Sequence, residues 1–149
     1  MPSSPPYFDT SYLVRLYLRD NGFEEVRELA GSVIASAWHT QAEFVAAFHR
    51  AFREGRFQSG AYQSALEQFI TDSKDGIFRW LPLTDSIQQR LEQFFWTAAN
   101  THFLRAADAL HLACAAEHGF AEVYSNDRHF LAAAPLFGLR GVNVIPDLK

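Results

Sequence analysis

The sequence predicts an α/β domain built on a largely parallel sheet, and three observations carry that prediction. Short apolar runs rich in β-type residues alternate along the chain with stretches of helical periodicity. The length, 149 residues, suits one domain, and a chain of that size buries roughly 70% of its unfolded surface on folding. Composition is ordinary for a globular protein, 48% hydrophobic and 20% charged, which excludes disordered, collagen-like and coiled-coil chains.

Residues 1–6 hold three prolines and two serines and are expected as a flexible lead-in, leaving residues 7–149 as the single domain. Tyr7 and Phe8 form a short strand end. Residues 10–19 follow with helical spacing, Leu13, Leu16 and Tyr17 on one face, until Asn21-Gly22 stops them. A second helix over 23–30 leads through Gly31 to a strand at 33–36. Thr40 opens a helix to position 53, and 62–71 forms another with Tyr62, Leu66, Phe69 and Ile70 as its buried stripe. Residues 77–83 read as an edge strand, or a strand followed by a turn at Pro82. Thr84 caps a helix that extends to 101, and 104–118 is a helix apolar on nearly every side, closed by Gly119. A strand at 123–125, a short helix at 127–134 stopped by Pro135, and a last strand at 142–145 complete the order.

Several function classes fall away. One cysteine, Cys114, forms no internal disulfide and no Cys-rich zinc site, and reads as a small core residue. The six histidines make no HExxH helix, and the eight glycines are scattered at element ends rather than gathered into a phosphate loop. No apolar run approaches the ~20 residues that span a bilayer. The first six residues lack the basic and apolar regions of a signal peptide, so a cytoplasmic protein with no membrane partner is expected. The net charge of -4 argues against a general nucleic-acid coat, but not against a nuclease whose metal ions reverse the sign at its centre.

The acids are the informative residues. Asp9 and Asp127 each directly follow a strand, and ligands of open parallel sheets bind outside the carboxyl ends of the strands. Glu43 lies in the first turn of the helix after the second strand. Each has a structural reading as well: Asp9 and Asp127 suit helix N-caps, and Thr40-Gln-Ala-Glu43 matches a capping box. Asp108 lies where no helical face is plainly polar, so its carboxylate calls for a partner, either Arg105 three residues earlier or a metal. If all four converge, their repulsion calls for cations, and oxygen-only ligands suit Mg²⁺ or Mn²⁺ rather than zinc.

The segments Phe8-Asp9-Thr10-Ser11-Tyr12-Leu13, Glu43, Ala107-Asp108-Ala109-Leu110-His111-Leu112-Ala113 and Ser125-Asn126-Asp127-Arg128-His129-Phe130 resemble the PIN-domain family, in particular the VapC-type ribonuclease toxins of bacterial toxin–antitoxin pairs. The resemblance extends from Tyr7 to Ile145. It implies a three-layer fold, a central sheet in the order 3-2-1-4-5 with helices on both faces. It also implies an acidic site of Asp9, Glu43, Asp108 and Asp127 holding Mg²⁺ or Mn²⁺, with RNA as substrate, a small antitoxin as partner and a homodimer as the common assembly. Ser125 matches a hydroxyl usual two residues before the fourth acid, and Ser11 a similar one near the first.

Arg50, seven residues after Glu43, returns to nearly the same helical face about 10 Å along, where it suits an RNA phosphate contact or a solvated surface equally. Phe44, Phe48 and Phe52 form a core or dimer stripe. His111 and His129, each near an acid, read as core or surface histidines ahead of supporting roles. The sequence therefore points to a metal-dependent endoribonuclease acting as a toxin. The alternatives are a catalytically silent PIN-like module that binds RNA or protein, and a metal-dependent phosphatase on a similar sheet.

Overall fold

The computed structural model describes residues 4–148; positions 1–3 of the expected lead-in and the final residue lie outside that range. Along the chain run α1 (Thr10–Val14), α2 (Phe23–Leu29), β1 (Ile34–Ala37), α3 (Thr40–Arg53), α4 (Ala61–Lys74) and β2 (Phe78–Leu81). Then come α5 (Asp85–Thr97), α6 (Ala106–Glu117), β3 (Glu122–Tyr124), α7 (Arg128–Ala133), a 3-10 turn (Ala134–Phe137) and β4 (Arg140–Val142). The α/β class is as expected.

The strands form two parallel ladders. β1 pairs with β2, Ile34 opposite Phe78, and β3 pairs with β4, Glu122 opposite Arg140. Tyr7 and Phe8 join them through parallel bridges, Tyr7 to Ala35 and Phe8 to Tyr124, so the first extended segment lies between the ladders. Ordered pairing begins one residue earlier than expected, because the Pro6 carbonyl accepts the Ala35 amide at 2.9 Å.

Strand alternation builds two cores from these short segments. Tyr7, Ala35, Ala37, Leu81 and Val123 pack with α6, Phe130 and Phe137 in one cluster. Phe8, Ile34 and Phe78 pack with Tyr12, Phe44, Phe48 and Phe69 in the other. Neighbouring residues of one strand thus enter opposite clusters, and β1 is buried along its whole length. A strand covered on both faces has helices on both faces. In α6 the alanines bring the helix close to its neighbours; Ala109, Leu112, Ala113, Cys114 and Ala115 are all buried. Across the sheet, the Phe44 and Phe69 rings stack with centroids 3.9 Å apart.

Several expectations shift or sharpen; α5 ends at Thr97 rather than 101 and α6 begins at Ala106 rather than 104, and others have a local reason. α1 stops at Val14 rather than 19, because the Ser11 carbonyl accepts Nη1 of the buried Arg15 at 2.6 Å and the Arg15 amide turns to the Tyr12 carbonyl. On α4 the buried face follows Tyr62, Ala65 and Phe69, leaving Ile70 46% exposed. Of the stripe expected as core or dimer surface, Phe44 and Phe48 are buried while Phe52 is 45% exposed, its ring stacked on Tyr62. The last strand occupies Arg140–Val142 instead of 142–145, since Asn143 and Val144 bond to the Tyr12 hydroxyl.

One close approach fixes the C-terminal segment. Gly22 has φ +81°, and a Cβ there would lie 2.5 Å from Cγ2 of the buried Ile145. Gly22→Ala combines a left-handed backbone with a clash, and is expected to lower the unfolding free energy by about 2 kcal/mol or more. Urea denaturation checks this; a loss below roughly 0.5 kcal/mol, the range of neutral surface changes, would show that Ile145 does not pack where described.

Candidate metal and nuclease site

Asp9 leaves the sheet between the two ladders and is 4% exposed. Its Oδ1 accepts the Tyr12 amide at 3.1 Å, capping α1, and the Ser11 hydroxyl at 2.6 Å. Its Oδ2 accepts the Ser125 hydroxyl at 2.5 Å. The same hydroxyls accept in turn: Ser11 Oγ takes the Asn126 amide and Ser125 Oγ the Asp127 amide. Two serines therefore lock the loop after the first extended segment to the loop after β3. Burial pushes the Asp9 carboxyl up, against the lowering influence of His111 and these hydrogen bonds.

Asp127 caps α7, its Oδ1 accepting the His129 and Phe130 amides at 2.8 and 3.0 Å. Its Oδ2 lies 3.4 Å from Nη2 of Arg105. Asp108, in the first turn of α6, has a side chain 19% exposed with Oδ2 3.8 Å from Nε of the same arginine. Its pKa is raised to about 6, by burial first and by the charges of Asp127 and Asp9, while His111 and Arg105 oppose the rise. Asp108 is therefore not paired with Arg105 alone: the guanidinium, 69% exposed, is shared by two carboxylates that repel each other.

Glu43 is held differently. The capping box does not form: His39 is the N-cap of α3, and the Thr40 hydroxyl lies 2.7 Å from the Ser36 hydroxyl in the core. Glu43 Oε1 instead accepts the Thr10 hydroxyl and His111 Nε2, each at 2.8 Å. Burial pushes its carboxyl up, but His111, Thr10 and His39 outweigh burial and leave it below its ordinary value. His39 lies 3.6 Å from the same oxygen; burial and the neighbouring His111 drive its pKa down to about 4. At neutral pH His39 is thus an uncharged neighbour of Glu43.

At Asp9 and Asp127 one oxygen serves a helix N-terminus, as the capping reading expects, and the other makes a separate contact, to Ser125 and Arg105 respectively. Asp108 and Asp127, from separate elements, share one exposed cation, the charge of Asp9 acts on Asp108 from close by, and this all-oxygen donor set fits a hard divalent ion. Among the described residues, the group whose candidate ligand atoms all lie within 4.8 Å of one another is His39, Glu43 and His111, not the three aspartates. Arg50 stands apart, exposed near the end of α3 and bonded to Glu54 at 3.2 Å. His111 is the core histidine that its sequence position suggested, and its hydrogen bonds are what sequence reasoning missed. As a polar side chain on the same apolar helix as Asp108 it carried the same signal, but its partners lie 104 and 68 positions away.

The family model for the PIN domain matches residues 7–135. Among solved structures, the chain is similar to VapC20 of Mycobacterium tuberculosis, a Sarcin-Ricin loop cleaving toxin, with 18% identity and TM-score 0.64 over 85% of this chain and 93% of that one. It is also similar to VapBC2 from Rickettsia felis, solved bound to a DNA fragment from the promoter, with 13% identity and TM-score 0.65 over 94% and 98% of the two chains. A third similar structure is VapBC-5 from M. tuberculosis, with 15% identity and TM-score 0.61 over 95% and 100%. No curated protein matches the sequence.

The raised Asp108 pKa has a definite sign. A folded-state value near 6, above the ordinary 3.8, means that the folded chain binds this proton more tightly than the unfolded one. The favourable contribution is full below about pH 4 and is lost as the pH rises through 6. Asp108→Asn cannot ionise, so in metal-free buffer its melting temperature is expected to rise relative to wild type between pH 4 and pH 7.5. A difference independent of pH would show that Asp108 is not crowded by the other aspartates.

Proposed function

The chain belongs to the PIN-domain family, and from that premise we propose that it is a Mg²⁺- or Mn²⁺-dependent endoribonuclease, the toxin of a toxin–antitoxin pair. The observation that carries the reading is the pairing of Asp108 and Asp127 with one exposed arginine while the charge of the buried Asp9 acts on Asp108. These three side chains, with Glu43 at the rim, are the proposed holders of the ion. When bound, such an ion activates water and stabilises the charge that develops on a phosphodiester.

The protein's own groups prepare that chemistry. Ser11 and Ser125 fix both oxygens of Asp9, so the carboxylate meets the ion without a reorientation cost. Arg105 offsets part of the charge of Asp108 and Asp127 in the free protein, and its exposure leaves it able to swing toward an RNA phosphate. The guanidinium of Arg50, two turns along α3 from Glu43, is the proposed phosphate contact outside the acids.

A protein partner belongs to the same proposal. Similar chains occur in VapBC assemblies. Here Trp38, Trp96 and Phe103 expose 60, 89 and 61% of their area, apolar surface suited to an antitoxin or to a second copy in a homodimer. No helix among the described residues is long and apolar enough to cross a membrane, and the proposed compartment is the cytoplasm.

Asp108→Asn preserves size and removes one anionic ligand, so RNA cleavage with Mn²⁺ is expected to fall at least about a hundredfold, roughly 2.7 kcal/mol of transition-state stabilisation. Arg105→Gln, which removes the counter-charge and no ligand, should stay within about tenfold of wild type. Chelation should abolish cleavage in every variant. Wild-type cleavage by Asp108→Asn would refute the catalytic reading and favour the silent binding module.

A further inference from the structure

His111 presents a problem that packing does not answer. It is 1% exposed on a helix whose other buried residues are Ala, Leu and Cys, where an apolar side chain would pack without any hydrogen-bonding demand. Its two ring nitrogens are both engaged, Nδ1 with the Tyr7 hydroxyl and Nε2 with Glu43 Oε1, each at 2.8 Å. The chain of bonds starts at a fully buried phenol and ends on a carboxylate with 31% of its side chain exposed. A purely structural network would close within the core, whereas this one delivers its last bond to the acidic site.

We propose that Tyr7 and His111 are positioning residues: a buried Tyr7–His111–Glu43 relay that fixes the tautomer of His111 and, through it, the orientation of the Glu43 carboxylate. The proposal rests on the reading of Glu43 as part of the nuclease site.

Elementary bonding rules set the direction of the relay. An ionised carboxylate only accepts, so Nε2 of His111 carries the hydrogen and donates to Glu43. In the neutral ring Nδ1 then has only a lone pair, so the Tyr7 hydroxyl donates to it. The ring has little freedom to turn, with Tyr7 edge-on at 5.9 Å between centroids, Phe130 at 6.1 Å and His39 at 4.4 Å. Thr10 donates to the same Oε1. Both donors thus fall on one oxygen, and Oε2 has no hydrogen bond to a described side chain. A carboxylate clamped by one oxygen offers the other in a fixed direction. The relay also ties together the central extended segment, α1, α3 and α6, the elements that carry Asp9, Glu43 and Asp108.

Two conservative variants of the full chain test this. Tyr7→Phe keeps the ring that packs edge-on against His111 and Phe120 and removes only the hydroxyl. His111→Gln keeps an N–H near the position of Nε2, whereas His111→Leu removes it. Long-range ¹H–¹⁵N correlation spectra of the imidazoles, recorded without metal, read the tautomer and its partners directly: Nε2–H with a hydrogen-bonded Nδ1 for wild-type His111, and Nε2–H still held by Glu43 but with Nδ1 at the shift of a free lone pair in Tyr7→Phe.

In RNA cleavage with Mn²⁺, kcat is expected to fall about tenfold in Tyr7→Phe and up to about a hundredfold in His111→Leu, the range seen when a supporting hydrogen bond is lost. His111→Gln should recover part of the loss, and KM should stay within about twofold throughout. Wild-type Nδ1–H, or unchanged kcat in folded Tyr7→Phe and His111→Leu proteins, would overturn the relay. So would loss of the Nε2–H signal on adding Zn²⁺ or Co²⁺, which would make the ring a metal ligand beside His39 and Glu43. If wild type cleaves no RNA, the functional reading fails on its own, and the tautomer spectra still decide whether the relay exists.

Discussion

A carboxylate kept almost out of water at the junction of two sheet ladders is the constraint on which the rest of the molecule depends. Asp9 follows the one extended segment that touches both ladders, and its oxygens are held by hydroxyls from either side of that junction. Ionised carboxylates are costly to bury without partners. Ser11, Ser125 and the Tyr12 amide offset part of that cost and, by their reciprocal bonds to the 126 and 127 amides, bring Asp127 into the same crevice. The loops are thereby organised around a negative charge that the fold does not itself neutralise.

The charge balance around Asp9 follows from that arrangement. Asp108 rises to about pKa 6 because burial and two neighbouring carboxylates act on it together. Arg105 relieves the repulsion from an exposed position at 3.4 and 3.8 Å, a weak and screened arrangement that a divalent ion would readily outcompete. The aromatic core beneath serves the opposite purpose. Phe44, Phe48 and Phe69 are buried and mutually packed, so α3 is rigidly seated and presents Glu43 from a firm base.

Much of this was legible in the sequence. The helix opening at Thr40 and ending near Arg53 was readable because its apolar stripe is strong, and the capping positions of Asp9 and Asp127 were readable because each acid directly follows a β-type run and precedes a helix. The capping box at Thr40 was a false match: its hydroxyl turns inward to Ser36, a partner that only the strand-to-helix turn brings near. The early end of α1 was hidden because it depends on Arg15 folding back onto Ser11 and Asn21. The role of His111 was hidden for a related reason. Its meaning lies in contacts with Tyr7 and Glu43, which neither periodicity nor local spacing encodes, although its isolation on an apolar helix marked it as anomalous in the same way as Asp108.

The most direct test of the metal-site reading is the location of a bound ion. Anomalous diffraction at the manganese edge, from crystals grown with Mn²⁺, should give a peak bounded by Asp9, Asp108 and Asp127, with the Arg105 guanidinium displaced from between Asp108 and Asp127. An absent peak with Arg105 still bridging the two aspartates, or a peak held by His39, Glu43 and His111 alone, would contradict the account.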